Sequence, residues 1–128
     1  MADTNLLVRY LTGLPRDQHK RAAAEIDSGQ PIWITVVTIL ETAFVLLRQY
    51  NVPRAMAVDV LSDLIRKVNV QVCELPRQRV LDALALCRDS GRVNFGDALI
   101  WARAAEDDAE VLTFDRQFPT DGIVVTRL

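Results

Sequence analysis

The stretch PIWITVVTILETAFVLLRQY, residues 31–50, changes its hydrophobic pattern once. It opens with the short run PIWIT, which is β-branched and aromatic and is therefore typical of a buried strand. From Thr35 onward a strongly apolar segment with helical character continues until the break at Asn51. A strand that passes directly into an apolar helix is typical of an α/β fold.

The remainder of the chain repeats this alternation, with proline at several helix starts and glycine at several helix ends. Helices are predicted over 4–13, 15–29, 36–50, 53–68, 76–91 and 95–108, and strands over 31–35, 70–75, 110–114 and 122–126. Because the strands are continuous apolar runs, we expect a three-layer α/β fold. Its mainly parallel central sheet would be covered by helices on both faces, in one domain over residues 1–128.

The composition excludes several classes of protein. The chain has 128 residues, is 50% hydrophobic and 25% charged, and carries a formal charge of −2, which is ordinary for a globular domain. Cys73 and Cys87 form no CxxC motif and His19 is far from both, which argues against a zinc site and favours reduced thiols. No signal peptide or membrane-length apolar run is present, so we expect a cytoplasmic protein without a membrane partner.

A carboxylate follows the strand predicted near the end of the chain. In VLTFDRQF, residues 111–118, the apolar run of Val111, Leu112 and Phe114 predicts a buried strand, and Asp115 stands where that strand ends. Ligands of parallel α/β sheets bind at the carboxyl ends of the strands. Asp115 is therefore a candidate site residue.

Three further acids are predicted near the same edge of the sheet. Asp3 follows a very short first strand, and Glu41 and Asp97 lie on helices that begin close to that edge. Converging carboxylates repel one another and need a cation. Oxygen ligands favour Mg²⁺ or Mn²⁺ over zinc, and such ions suit phosphodiester hydrolysis.

Each acid also has a structural interpretation of its own. Asp3, with Thr4, could cap the first helix. Thr38 and Glu41 fit a capping box, although a helix that starts at Thr35 would leave Glu41 inside its second turn. The helix start at Thr35 is the prediction that we prefer.

The other two acids have similar alternatives. Asp97 near a helix start could serve only the helix dipole. Asp115 and Arg116 could form a turn with a surface ion pair. What distinguishes the four acids from such local roles is their predicted placement on one edge of one sheet.

Four pieces of this sequence together resemble the PIN domain, and more narrowly the VapC toxins of bacterial toxin–antitoxin pairs. These pieces are DTN at 3–5, Glu41 after the second predicted strand, DALIWA at 97–102 and VLTFDRQF at 111–118. The separations between the acids, 38, 56 and 18 residues, are similar to those of the family, and the resemblance covers essentially the whole chain. It implies a metal-dependent ribonuclease.

The resemblance also implies roles for the acids. Asp3 and Asp97 would be the principal ligands of Mg²⁺ or Mn²⁺, and Glu41 and Asp115 would complete the site directly or through waters. A metal-activated water would attack an RNA phosphodiester in line, with Glu41 or Asp115 orienting or deprotonating it. The residues alone do not decide which of the two acids does so.

Two polar residues match positions that support the ligands in the family. Asn5 would orient ligands of the metal, and Thr113, two residues before the last acid, has a similar but weaker match. Only Met1 and Ala2 precede Asp3, where the family usually has a few more apolar residues. Either the first strand is very short, or the native chain begins upstream.

The remaining polar and aromatic residues bear on the partners. The formal charge of −2 would become +2 without the four acids. A modest basic rim around these acids would suit RNA. Arg116 is the first candidate for a phosphate contact. Trp33 and Trp101 are expected in the core rather than as base-stacking residues, and His19 is expected at the surface.

The resemblance further implies a cognate antitoxin protein that inhibits the enzyme. The helices predicted at 36–50 and 56–68 carry more hydrophobic residues than one face needs, which favours a homodimer or partner surface.

Other phosphate-handling folds fit less well. A receiver domain needs a pair of acids after its first strand and a lysine at a late strand end, and a haloacid-dehalogenase phosphatase needs DxD, where this chain has Asn5 at the third position. A catalytically silent PIN-like binding module is the alternative from another class. The presence of all four acids argues against it.

Overall fold

The computed structural model describes all residues from 1 to 128. Six helices and four strands follow one another along the chain. They are α1 (Thr4–Thr12), α2 (Arg16–Ile26), β1 (Ile32–Ile34), α3 (Val36–Arg48), α4 (Arg54–Arg66), β2 (Val70–Val72), α5 (Arg77–Arg88), α6 (Phe95–Asp107), β3 (Val111–Thr113) and β4 (Val125–Arg127). None of the six helices combines the length and the apolar character that a membrane span requires.

The helix boundaries follow the predicted capping residues. Thr35 caps α3, accepting a hydrogen bond from the backbone N–H of Thr38 at 3.1 Å, and Gly13 ends α1 with a left-handed φ of 73°. Pro53 and Pro76 precede α4 and α5 as predicted. The second helix ends at Ile26 rather than at residue 29, because a turn follows in which the Ser28 hydroxyl donates to the Glu25 carbonyl.

All strand pairing is parallel, which confirms the α/β class. β1 pairs with β2, with Ile32 opposite Val70, and β3 pairs with β4, with Val111 opposite Val125. The sheet is therefore present as two separate two-stranded pieces, and each strand is shorter than its apolar run suggested. The last strand also lies later in the chain than predicted, at 125–127 instead of 122–126.

The predicted strand before Asp3 does not form. Ala2 is buried, and its backbone N–H donates to the Trp33 carbonyl at 2.8 Å beside β1. The chain then turns directly into α1, with Asp3 as its capping residue. The prediction of a strand that ends at Asp3 is thus wrong, because the backbone at Asp3 is already used to start a helix.

Helix packing provides most of the hydrophobic core. The buried faces of α3, α4, α5 and α6 meet around β1 and β2, where Ile34 and Val70 are fully buried. Leu61 on α4 and Leu84 on α5 belong to the same cluster. The strongest helix-to-helix contacts join α5 to α6 and α4 to α5.

The prediction that helices cover both faces of the sheet is wrong at the β3–β4 pair. Only Val111 of the apolar run is buried, whereas Leu112 is 64% exposed and Phe114 is 81% exposed. Side chains alternate between the faces of a strand, so Leu112 lies on the face of β3 opposite the buried Val111, and no helix covers that face or the bend at Phe114 directly after it. An apolar run alone does not reveal that one of its faces lacks a helix.

The two tryptophans behave differently. Trp101 is buried as predicted, and its indole N–H donates to the Asp121 carbonyl at 2.8 Å. Trp33 is 48% exposed, so its predicted place in the core is wrong. In β1 the core-facing position next to it belongs to the fully buried Ile34, and alternation turns Trp33 outward.

A pair of leucine substitutions tests this distribution of buried surface. Leu61→Ala should lower the free energy of unfolding by about 2–5 kcal/mol, because it leaves a cavity in the core. The matched change Leu112→Ala should alter it by only about 0.5 kcal/mol or less, because that side chain faces solvent. Urea unfolding measures both values. Equal losses in the two variants would contradict the assignment of the β3–β4 face as uncovered.

Candidate active site

Asp3 lies at the start of α1. Its backbone is extended, with φ of −94°, and its Oδ1 accepts a hydrogen bond from the Leu6 N–H at 2.9 Å. The capping alternative for Asp3 therefore holds. The cap engages one carboxylate oxygen, and the side chain is exposed, so the carboxylate can act as a cap and a ligand together.

Glu41 lies in the second turn of α3, as predicted, and faces the start of α1. Its Oε2 accepts a hydrogen bond from the Thr4 hydroxyl at 2.8 Å. The capping-box interpretation fails, because Thr35 rather than Thr38 caps the helix. Since Thr4 follows Asp3 directly, this contact brings the carboxylates of Glu41 and Asp3 to the same region of the surface.

Asp97 lies in the first turn of α6 and is held by the capping residue Asn94. The Asn94 Oδ1 accepts from the Asp97 N–H at 2.7 Å, and the Asn94 Nδ2 donates to the Asp97 Oδ2 at 3.0 Å. The two side chains thus fix each other at the start of the helix. Sequence reasoning missed Asn94, although its position three residues before an acid at a helix start is the pattern of a reciprocal cap.

Asp115 lies in a tight turn after β3. Its N–H donates to the Thr113 hydroxyl at 2.9 Å, and its Oδ1 accepts from the Gln117 N–H at 2.8 Å. The turn part of that alternative is therefore correct, but Asp115 and Arg116 form no ion pair. Thr113 holds the backbone of the turn.

The pKa of Asp97 is raised above its usual range. Partial burial of the carboxyl group is the main cause, and the negative charge of Asp115 adds to it, while the hydrogen bond from Asn94 acts in the opposite direction. Asp97 and Asp115 thus carry charges that repel each other through space. Bringing them together disfavours the ionised form of Asp97.

The four acids thus occur as two associations. Asp3 and Glu41 are linked through Thr4, whose hydroxyl donates to Glu41, and Asp97 feels the charge of Asp115 without a hydrogen bond between them. Helix α3 packs against both α1 and α6, the helices that begin at the other acids. No group of three or more Asp, Glu, His or Cys side chains lies close enough together to hold a metal ion.

The chemistry of the donors fits a hard divalent ion. All four candidate ligands are carboxylates, and the Cys87 thiol does not compete, because it is buried and that burial raises its pKa to about 11. A bound cation would also relieve the repulsion between Asp97 and Asp115.

An open cleft between α1 and α2 begins at Asp3. It has a volume of about 300 Å³ and includes Asn5, Arg9, Arg21 and Glu25. The Arg9 Nε donates to the Gln18 Oε1 at 2.7 Å. Asn5 is exposed and lines this cleft together with Asp3, and its role in orienting a ligand stays a prediction.

The arrangement defines an α/β protein with parallel strands and carboxylates gathered at helix starts and a strand end. The PIN domain family matches residues 1–120, and the chain belongs to that family. PIN domains are generally metal-dependent nucleases. Neither the curated proteins nor the solved structures contain a significant match to this chain.

The raised pKa of Asp97 makes a prediction about stability. Ionisation of Asp97 destabilises the folded protein, so this penalty is absent below the unfolded pKa of about 3.9 and is complete above the folded pKa. In metal-free buffer, Asp97→Asn should therefore raise the melting temperature at pH 7 by about a few degrees at most. The gain should shrink as the pH falls towards about 3.5.

Asp63→Asn is the control, since Asp63 is an exposed helical residue paired with Arg66 on α4. Asp63→Asn should not raise the melting temperature at pH 7 or at about pH 3.5. Calorimetry of the three proteins measures the effect. A lower melting temperature for Asp97→Asn at pH 7 would mean that the carboxylate stabilises α6 more than its burial costs.

Proposed function

We propose that this protein is an endoribonuclease of the VapC type that hydrolyses RNA phosphodiester bonds with Mg²⁺ or Mn²⁺. The observation that best supports the proposal is the placement of the acids in a chain of the PIN domain family: the Thr4 hydroxyl joins Glu41 to the start of α1 beside Asp3, and the charge of Asp115 acts on Asp97. A bound cation would offset the negative charge that these carboxylates bring together.

The candidate ligands are Asp3 and Asp97, with Glu41 and Asp115 completing the site directly or through waters. When bound, such an ion would act as a Lewis acid: it would neutralise charge on the phosphate and lower the pKa of a coordinated water. The chain itself orients the acids. Asn94 fixes Asp97 by its two hydrogen bonds, as described above.

Glu41 and Asp115 are the two candidates for orienting or deprotonating the attacking water. One oxygen of each carboxylate already accepts a hydrogen bond from the protein. Glu41 accepts from the Thr4 hydroxyl, and Asp115 accepts from the Gln117 N–H. The second oxygen of either carboxylate remains to accept a proton from water. Comparing Glu41→Gln with Asp115→Asn in the assay below would separate these roles.

The distribution of cations supports a nucleic-acid substrate. Of fifteen lysines and arginines, five form salt bridges with carboxylates, which leaves ten without such a partner. Arg9 and Arg21 share the cleft that begins at Asp3, and Arg116 follows Asp115 in its turn. Unpaired cations beside the acids would hold the phosphates that flank the bond to be cut.

The biological setting of this proposal is a toxin–antitoxin pair in the cytoplasm. The support is the resemblance of DTN, DALIWA and VLTFDRQF to the VapC toxins. The same resemblance implies a protein that inhibits the ribonuclease. A cognate antitoxin protein is therefore part of the proposal.

A homodimer is also proposed, and an apolar groove between α3 and α6 supports it. The groove has a volume of about 740 Å³, and Val37, Leu40 and Ile100 contribute to it. Val37 and Ile100 each expose more than half of their surface, which is unusual for large apolar side chains that gather in one place.

A catalytically silent PIN-like binding module is the second candidate. The observation behind this alternative is the separation of the four acids into two sets, with no group of three. The two candidates differ in whether metal-dependent cleavage occurs.

A nuclease assay with single-stranded RNA and Mn²⁺ tests the proposal. Wild type should cut the RNA, and Asp97→Asn and Glu41→Gln should each lower the rate at least about 100-fold, since each removes a charged ligand or base. Far-UV circular dichroism should be unchanged. Asp63→Asn, far from the acids in sequence and paired with Arg66, should cut at the wild-type rate.

Cleavage that is equally fast in EDTA, or in both site variants, would refute the metal-dependent site. Wild-type protein that binds RNA but never cuts it would favour the silent binding module.

Expression in bacteria tests the toxin assignment. Wild type should arrest growth when expressed alone, whereas Asp97→Asn at equal abundance should not, because arrest requires cleavage. Colony counts and immunoblots measure the two quantities. Unimpaired growth with an enzyme that is active in vitro would reject the toxin role while leaving the ribonuclease proposal intact.

A further inference from the structure

Phe114 is a large apolar side chain that faces solvent immediately before Asp115. It is 81% exposed, although burial of a phenylalanine ordinarily contributes about 1.5–3 kcal/mol to folding. Phe118, four residues later, is 5% exposed, so this segment has access to the core and still leaves Phe114 outside. The exposure therefore follows from where the backbone directs this side chain.

The backbone around Phe114 is held firmly. The residue before it, Thr113, accepts the N–H of Asp115, and Asp115 in turn accepts the N–H of Gln117. The Arg127 Nε donates to the carbonyl of Arg116 at 3.2 Å, which ties the turn to β4. Phe114 is thus presented by an ordered turn, and little ordering would be needed when a ligand contacts its ring.

We propose that Phe114 stacks on a base of single-stranded RNA next to the phosphodiester bond that is cut. The inference rests on the proposed function, since it names a substrate contact of the same site. Proteins that bind unpaired RNA stack its bases on exposed aromatic rings, and Phe114 lies one residue from a candidate ligand. A stacked base there would position the neighbouring phosphate beside Asp115.

A protein partner is the competing occupant of this surface. Leu112, Val124 and Leu128 are also exposed, and the parallel register puts these three on one face of β3–β4, next to the bend that carries Phe114. Of the four, Phe114 alone is aromatic and directly adjoins an acid of the site. Base stacking requires an aromatic ring, whereas contact with a protein is satisfied by aliphatic side chains, and this difference separates the two occupants.

The experiment compares three replacements of Phe114 with a control on the uncovered face of β3. Binding of a fluorescent single-stranded RNA is measured by anisotropy in EDTA, and KM and kcat are measured with Mn²⁺. Phe114→Ala and Phe114→Leu should weaken binding and raise KM about tenfold, which corresponds to about 1.4 kcal/mol, within the range for one stacked base. Phe114→Trp should stay within about twofold of wild type.

Leu112→Ala is the matched control, because it removes an exposed apolar side chain two residues away, on the uncovered face of β3. It should leave RNA binding, KM and kcat unchanged.

Wild-type affinity in Phe114→Leu would overturn the proposal, because a leucine cannot stack as a ring does. Loss of self-association in both Phe114→Leu and Leu112→Ala, with RNA binding unchanged, would assign the face to a protein partner and equally overturn it. Wild-type protein that neither binds nor cuts RNA would refute the proposed function as well. Normal cleavage by wild type and by Phe114→Ala would refute only the stacking contact.

Discussion

Burial of the apolar helix faces is the interaction on which this fold depends. Each of the four strands has three residues, so the two parallel pairs contribute few ladder hydrogen bonds. The core residues of α3, α4, α5 and α6 enclose β1 and β2 instead. This packing sets the positions of the helix starts. Asp3 and Asp97 lie at helix starts, and so does Thr4, which holds Glu41. The candidate site is therefore a consequence of how the helices assemble.

Local backbone contacts and candidate ligand functions coincide in the same side chains. Asp3 caps α1, Asp97 exchanges hydrogen bonds with a cap of α6, and Asp115 closes a turn. These contacts hold carboxylates in fixed places before any cation arrives, which lowers the ordering cost of forming a site. Each of these three acids therefore also has a structural role that needs no metal ion. A cap uses one carboxylate oxygen and leaves the other for a ligand.

Much of the fold could be predicted from local signals. The strand-to-helix change at Thr35, the glycine at residue 13 and the prolines before α4 and α5 act within a few residues, and all were correct. Errors arose where the outcome depends on which neighbour covers a surface. Leu112 and Phe114 form an apolar run, but no helix covers them, and Trp33 alternates outward. The four candidate acids are visible in the sequence, whereas their arrangement in two sets depends on the packing of α3 against α1 and α6.

The contrast between the two tryptophans makes the protein its own spectroscopic probe. Trp101 is buried and hydrogen-bonded to the chain at Asp121, so its fluorescence reports on the integrity of the core. Trp33 is half exposed, and its carbonyl accepts the N–H of Ala2, the residue before Asp3. A quencher dissolved in water reaches Trp33 far more readily than Trp101. Quenching can therefore separate events near the first acid from unfolding of the whole chain, without any attached dye.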